Sequence, residues 1–262
     1  MTSRENNGQT IDFFERNNYF EYPKDYIKFF IQGELPMLDK NGKVLLDENG
    51  FLKLAADGHG GVFEAMFKNG IVEDMKNKKI EWVFVGPIDN PLVNMADEIL
   101  IGVAKDKNAE GAGKSIVKAN PQEKVGVFCK KDGRPSVIEY TEITEEMANA
   151  VDQNGELLYG ESHLNCNMFN IKGIEKIGAN KLPYHTAFKK ATYIDENGNL
   201  IKGEEPNSYK FESFIFDAFE KLNDMAILRV KREEEFAPVK NAEGVDSPKT
   251  SVELYNNYWK NK

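Results

Sequence analysis

Trp82-Val83-Phe84-Val85, a run of aromatic and β-branched residues cut off by Gly86-Pro87, constrains this chain more than any other segment. A short apolar run bounded by turn residues is how a strand covered on both faces reads, so Glu81 to Gly86 predicts a central parallel strand. Helix-forming sequence resumes at Pro91, with Asn90 placed as its N-cap. Further strands are expected near Lys114 to Lys118, Val125 to Cys129, Val137 to Tyr140 and Leu164 to Ile171, with a helix from Glu145 to Val151. Upstream, Gln9 to Phe20 predicts an amphipathic helix, Tyr26 to Ile31 a buried strand and Val62 to Lys76 a second helix. Asn41-Gly42 and Asn49-Gly50 lie between apolar runs, the pattern of tight hairpin turns. Tyr209 to Leu222 spaces its apolar residues as a helix with one buried stripe, and Lys249 to Lys262 reads as a terminal helix. Strands alternating with helices give an α/β class with a mixed sheet. No linker-like stretch interrupts it, so residues 1–262 read as a single domain.

Composition narrows the function. A formal net charge of -9 argues against a nucleic-acid binder, whose affinity rests on clustered Lys and Arg, yet leaves room for a small anionic ligand held by a few local cations. The two cysteines, Cys129 and Cys166, lack metal-ligand spacing and suggest no disulfide framework, which points to a reducing compartment. No apolar stretch approaches the ~20 residues that span a bilayer, and the first residues carry no apolar signal core. The expectation is a cytoplasmic protein with neither a membrane nor a nucleic-acid partner.

Several local patterns could carry chemistry. Asp57-Gly58-His59-Gly60-Gly61 stands between a strand-like run and a helix, where glycines let backbone approach a ligand and free amides favour anions or carbonyl oxygens; the same residues also fit an ordinary turn. Ile88-Asp89-Asn90-Pro91 puts Asp89 at a strand carboxyl end, the place where open α/β sheets bind ligands, and a hard carboxylate there suits Mg²⁺; the alternative is a plain turn. Glu139-Tyr140-Thr141-Glu142 also follows a strand, and on its own reads better as two surface carboxylates. Lys240, by itself, reads as a solvated lysine. With three histidines in the chain, His59, His163 and His185, a Ser/His/Asp hydrolase has no distinct support.

Taken in order, these segments resemble one family. Gln32-Gly33-Glu34-Leu35-Pro36, the Gly58 to Gly61 turn, Asp89-Asn90, Glu139-Tyr140-Thr141-Glu142, Gly160 to Phe169, Phe214-Ile215-Phe216-Asp217 and the run LRVKREEEFAPVKNA from Leu228 to Ala242 are similar to motifs of the eukaryotic-type UDP-sugar pyrophosphorylases, the UDP-N-acetylglucosamine and UTP-glucose-1-phosphate uridylyltransferases. The resemblance covers nearly the whole chain. It implies a Rossmann-like mixed sheet flanked by helices, of the nucleotide-diphospho-sugar transferase type, and an enzyme joining UTP to an N-acetylhexosamine or hexose 1-phosphate with Mg²⁺.

Residue by residue, the resemblance assigns Gln32, Gly58, His59 and Gly60 to uridine, and Asp89 to the metal. Lys240, on a tight turn from Pro238 to Asn241, would neutralise phosphate. Glu139, His163, Asn165, Phe214 and Phe216 would meet the sugar, with Asn167 beside them. Two departures stand out. The amino-sugar enzymes usually carry asparagine where this chain has His59, and Gly160 to Phe169 lacks the family's Asn-His ending, which leaves the sugar open. The resemblance also implies that the family's first βαβ segment, with its Gly-Gly-x-Gly-Thr-Arg phosphate loop, and its C-terminal domain lie outside these residues. A separate chain supplying that loop, or a non-catalytic UDP-sugar binder, is therefore the alternative to an enzyme. A metal-dependent glycosyltransferase would need an Asp-x-Asp motif, which Ile88-Asp89-Asn90 is not.

Overall fold

The computed structural model describes residues 1–262, which form two compact units, Met1–Lys78 with Ile177–Ala218 and Lys79–Lys176 with Phe219–Lys262. In chain order the first unit holds α1 (Asn7–Arg16), β1 (Glu34–Pro36), β2 (Leu38–Asp39), β3 (Leu54–Ala56), α2 (Val62–Lys68) and α3 (Ile71–Asn77). The second unit follows with β4 (Trp82–Val85), α4 (Glu98–Asp106), β5 (Gly111–Val117), β6 (Val127–Lys131), β7 (Arg134–Ile138), α5 (Glu145–Asn149) and β8 (Glu161–Asn170). Helix α6 (Ile171–Gly178) leads back to the first unit for β9 (His185–Lys189), β10 (Tyr193–Ile194), β11 (Leu200–Ile201) and β12 (Ser208–Glu212). The chain ends in the second unit with β13 (Met225–Arg229), α7 (Arg232–Glu235) and α8 (Pro248–Lys260).

The mixed α/β class is borne out by a six-stranded sheet in the second unit. Strand β13 runs parallel to β5, and β5 runs antiparallel to β8. On its other side β8 pairs with β4 near one end and with β6 near the other, and β7 pairs with β6. One expectation fails here: β4 is antiparallel to its single neighbour and lies at an edge, not at the centre. Its apolar character has another cause. Trp82 and Phe84 pack on a core of Leu100 and Ala104 from α4, Ala112 from β5, Met168 from β8 and Ala226 from β13.

Other boundaries shift for identifiable reasons. Tyr26 to Ile31 is not a buried strand; Tyr26 is 73% exposed, and the segment's one ladder contact is the parallel bridge of Ile31 with Thr2. The expected helix from Val62 is broken into α2 and α3 by Gly70, which takes a left-handed φ of 69°. Tyr209 to Leu222 is not one helix. Its first half is β12, paired with β9 and β2, and its second half is a 3-10 turn, Ile215–Lys221, that buries Ile215, Phe216, Ala218, Phe219 and Leu222. Both Asn-Gly turns form as expected, with positive φ at Gly42 and Gly50 and backbone bridges Leu38 to Val44 and Leu46 to Leu52. Helix α8 starts from a Ser247 cap that exchanges hydrogen bonds with Thr250, and Pro248 follows it. No helix is long and apolar enough to cross a membrane.

A buried ion cluster holds the second unit. Lys114, fully buried in β5, places its Nζ 2.6 Å from Asp97 Oδ2, 2.7 and 2.6 Å from the two Glu235 carboxylate oxygens and 3.2 Å from the Asn94 carbonyl. Asp97 is also the N-cap of α4, accepting from the Ile99 and Leu100 amides. Burial would raise its carboxyl, but the Lys114 hydrogen bond and those two amides outweigh it and hold Asp97 below its ordinary value. Removing one partner of such a group strands the others without solvent or counter-charge. Lys114→Ala should therefore destabilise the protein by about 3–5 kcal/mol, read from urea unfolding; a loss below about 1 kcal/mol, the scale of an exposed pair, would show the cluster to be dispensable.

Candidate active site

In the first unit, the antiparallel register of β1 with β3 is continued by the Asp57 N–H donating to the Gly33 carbonyl at 3.1 Å, which makes Gln32 and Gly58 neighbours. The side-chain amide of Gln32 makes no hydrogen bond within the protein; its backbone N–H donates to Thr2. Gly58 has a φ of 88°, and a Cβ there would sit 2.4 Å from the Ser213 carbonyl oxygen. A Cβ on Gly60 would sit 2.7 Å from the Phe214 backbone. These glycines let the turn press against the exit of β12, where Gly60 N–H donates to Ser213 O at 2.9 Å and Ser213 N–H donates to Asp57 O at 2.8 Å.

That contact fixes His59. Its Nδ1 accepts the Ile215 N–H at 3.0 Å, which only an unprotonated nitrogen can do, so the neutral ring carries its proton on Nε2 and presents a donor outward. Around it stand Phe214 at 5.4 Å, Phe216 at 6.4 Å and, against Phe214, His185 at 4.6 Å between ring centroids. Asp217 anchors this ring wall: its two oxygens lie 3.0 Å from His185 Nε2, and Oδ2 also accepts the Phe214 N–H at 3.0 Å. Sequence reasoning assigned no role to His185, since nothing in its local spacing marks it. Nothing in the local sequence marks Asp57 beyond its place in the Gly-rich turn. It is buried with Oδ1 unpartnered, and burial raises its carboxyl above the ordinary value.

In the second unit, Asp89 and the Lys240 segment come together. Val239 N–H donates to the Asp89 carbonyl at 2.8 Å, and Asn90 laces the same segment: its Oδ1 accepts from Ala237 N at 3.0 Å and its Nδ2 donates to Glu235 O at 2.7 Å. Asn90 caps no helix, because none starts at Pro91; its Oδ1 accepts the Leu92 N–H at 3.2 Å in a local turn and is shared with Ala237 N. The tight turn at Pro238 to Asn241 is also absent; the chain reverses over residues 241–246, where Lys240 N and Asn241 N both donate to Asp246 O. Lys240 is exposed, with Nζ 5.8 Å from the Phe236 ring centroid. The half-buried Asp89 carboxylate makes no hydrogen bond, so a hard oxygen donor is free beside this cation-bearing segment, a donor type that suits Mg²⁺.

The remaining candidates of this unit form a second group. His163 Nε2 lies 3.0 Å from Asn167 Oδ1, and Asn167 Nδ2 donates to Asn165 Oδ1 at 3.3 Å. The ring of His163 rests on Phe128 at 4.9 Å and Phe219 at 5.5 Å. Asn165 takes a left-handed φ of 58° where the register of β5 with β8 slips, forming a bulge. Glu139 packs on Gly126, whose carbonyl accepts the His163 N–H at 2.9 Å. Phe214 and Phe216 stand in the ring wall of the first unit. Cys166 offers no nucleophile: burial pushes its thiol up to about 12.

A family model described as UTP--glucose-1-phosphate uridylyltransferase matches residues 1–249. The chain is 40% identical over 257 residues to human UDP-N-acetylhexosamine pyrophosphorylase-like protein 1, covering 96% of this chain and 50% of that protein. It is also 40% identical over 260 residues to UDP-N-acetylglucosamine diphosphorylase 2 of Arabidopsis thaliana, covering 96% of this chain and 50% of the other. Among solved structures, the uridine diphosphate N-acetylglucosamine pyrophosphorylase from Trypanosoma brucei in complex with inhibitor matches with a TM-score of 0.84 and 31% identity, over 95% of this chain and 51% of that one. The chain spans about half the length of these relatives.

The His59 geometry makes a pH prediction. Burial of the ring holds His59 below its ordinary 6.5, against the opposing pull of Glu212 and Asp217. A base depressed by folding takes up its proton more readily when unfolded, so its contribution to stability is complete above 6.5 and is lost as pH falls through the lower folded value. Imidazole proton shifts followed by NMR should give His59 a midpoint below 6.5, and His59→Asn, whose amide oxygen can accept the same N–H, should remove this part of the acid destabilisation. A midpoint above 6.5 would contradict the Nδ1 acceptor geometry.

Proposed function

The chain belongs to the UTP--glucose-1-phosphate uridylyltransferase family, and from that premise we propose that it acts in uridylyl transfer, joining UTP and a sugar 1-phosphate into UDP-sugar and pyrophosphate. The observation that carries the reading is the hydrogen bond from Val239 N to Asp89 O, which sets the Lys240 segment beside a free carboxylate although the two lie far apart in sequence. A phosphate oxygen of the sugar 1-phosphate attacks the α-phosphorus of UTP; the new P–O bond forms as the α–β bridging P–O bond breaks, and pyrophosphate leaves. No protein nucleophile is required, so the protein's part is positioning and charge compensation. The names of the relatives at 40% identity favour an N-acetylhexosamine 1-phosphate as the sugar substrate.

Each residue has a definite role in this proposal. Gln32 offers one donor and one acceptor to the uracil edge, and His59 Nε2–H donates to a ligand oxygen. Lys240 compensates phosphate charge as a mobile ammonium, a competent phosphate partner without fixed geometry. Asp89 would hold Mg²⁺, and the ion, when bound, would supply neutralisation of phosphate charge. Glu139, His163 and Asn165 accept from and donate to sugar hydroxyls, while Phe214 and Phe216 wall the ligand. Both units are proposed to serve one catalytic domain. The free state of Cys129 and Cys166 accords with the cytoplasm as its compartment.

Titration calorimetry separates these roles. Lys240→Ala should weaken binding of UDP-N-acetylglucosamine by about tenfold or more, the scale of one charge-assisted hydrogen bond, while uridine keeps its affinity. Gln32→Ala should weaken uridine and UDP-sugar alike and erode their preference over adenine nucleotides; unchanged preference would remove Gln32 from the uracil site. None of residues 1–262 forms a Gly-Gly-x-Gly-Thr-Arg loop. Pyrophosphate release from UTP and N-acetylglucosamine 1-phosphate should therefore be far slower with this chain alone than its UDP-sugar binding would suggest. Turnover matching that of a relative carrying the loop would show that other residues handle the departing pyrophosphate.

A further inference from the structure

The turn between β5 and β6, residues 118–126, lies far in sequence from the Lys240 segment, yet it is held to that segment by one side chain. Arg232, the first residue of α7, places Nη2 2.8 and 3.0 Å from the Glu123 carboxylate oxygens and 3.3 Å from the Val117 carbonyl. Glu123 also accepts the Ala119 N–H at 2.6 Å, so a single carboxylate closes the turn on itself and on Arg232. Within the turn, the buried Lys118 donates to the Pro121 carbonyl at 2.9 Å, and Val125 N–H donates to Glu123 O at 3.0 Å. The next residue is Gly126, whose carbonyl receives the His163 N–H and where an added Cβ would sit 2.9 Å from Glu139 Oε1.

Arg232 also reaches the Phe236 ring, which Lys240 approaches as well. Its guanidinium lies 5.2 Å from the centroid of the Phe236 ring, the same ring that has Lys240 Nζ at 5.8 Å. Several ion pairs of this chain stand in the open, as Lys43 with Glu196 does, and join nothing with a functional assignment. Arg232 with Glu123 differs on both counts: the side chains are 34% and 18% exposed, and the pair links the segment of Lys240 to the turn that seats His163 and Glu139.

We infer that Arg232 is a positioning residue which, through Glu123, sets the sugar-reading group of His163 and Glu139 in register with the phosphate-compensating Lys240 segment. The functional half of this inference rests on the proposed uridylyltransferase site. The structural half does not. Arg232 acts by fixing the turn: its Nη2 alone reaches both the Glu123 carboxylate and the Val117 carbonyl, a reach that the shorter ammonium of a lysine matches only in part.

The test uses Arg232→Met, which keeps the aliphatic stem over Phe236, together with Glu123→Gln, the double variant and Arg232→Lys. UDP-N-acetylglucosamine and uridine are titrated against each by calorimetry, and exchange of the His163 backbone amide is followed by NMR. Arg232→Met should weaken UDP-sugar by about tenfold with uridine unchanged, a size expected for residues coupled in one hydrogen-bonded network. The double variant should lose no more than the worse single one, and Arg232→Lys should recover only part of the loss. The His163 amide should exchange faster in Arg232→Met than in the parent protein. Parallel losses for UDP-sugar and uridine, single effects that add in the double variant, or an unchanged His163 amide each overturn the inference. If the parent protein binds no UDP-sugar at all, the proposed function falls, and the amide exchange still decides whether Arg232 positions the turn.

Discussion

Lys114 is a charged group in the interior of a β-sheet, and much of the second unit is arranged around the need to satisfy it. A lysine with no exposure is tolerable when carboxylates surround its ammonium, and here they come from two directions: Asp97 at the start of α4 and Glu235 at the end of α7. One cation thus fixes where a helix begins and where the motif before Lys240 lies. Asn90 carries the constraint one step further, because it bonds Glu235 O and Ala237 N from the residue after Asp89. The approach of Asp89 to the Lys240 segment is a consequence of a buried electrostatic knot that neither residue belongs to.

The sequence showed the class of fold and the series of motifs, and the reasons for its failures are specific. The strand Trp82–Val85 is apolar because α4 covers it, and an edge strand roofed by a helix reads the same as a central one. The stretch from Tyr209 has helical spacing, but its backbone groups pair with β9 and β2 over the first half, and tertiary pairing overrides periodicity. Lys114 could have been recognised: it interrupts Gly111 to Ile116, a run with strand character, and a lysine buried there calls for acidic partners elsewhere in the chain. Which acids they would be is a tertiary fact, and neither Asp97 nor Glu235 carries a local mark.

The candidate site was legible residue by residue but not in its grouping. The Lys240 segment is bonded to the Asp89 backbone, and His163 and Asn165 share Asn167 as a partner. Phe214 and Phe216 stand with His59 and His185, since the glycines at 58 and 60 bring the turn onto the Ser213–Phe214 backbone. Those glycines were read as clearance for a ligand. In the folded chain they give clearance first to another piece of backbone, and the outward-facing imidazole is the product of that close approach.

The bulge at Asn165 has a consequence for how this region can vary. In an unbroken strand successive side chains point to opposite faces, and a register change by one residue exchanges the faces. The irregularity at Asn165 lets His163 and Asn167 hydrogen-bond on one side while Cys166, Asn167, Met168 and Phe169 stay buried. Deleting or inserting a residue here would exchange the faces of these side chains and misplace packing on both sides of the sheet. Diversification of β8 is therefore confined to exchange of side chains at constant length, with the left-handed position open mainly to Asn, Asp or Gly.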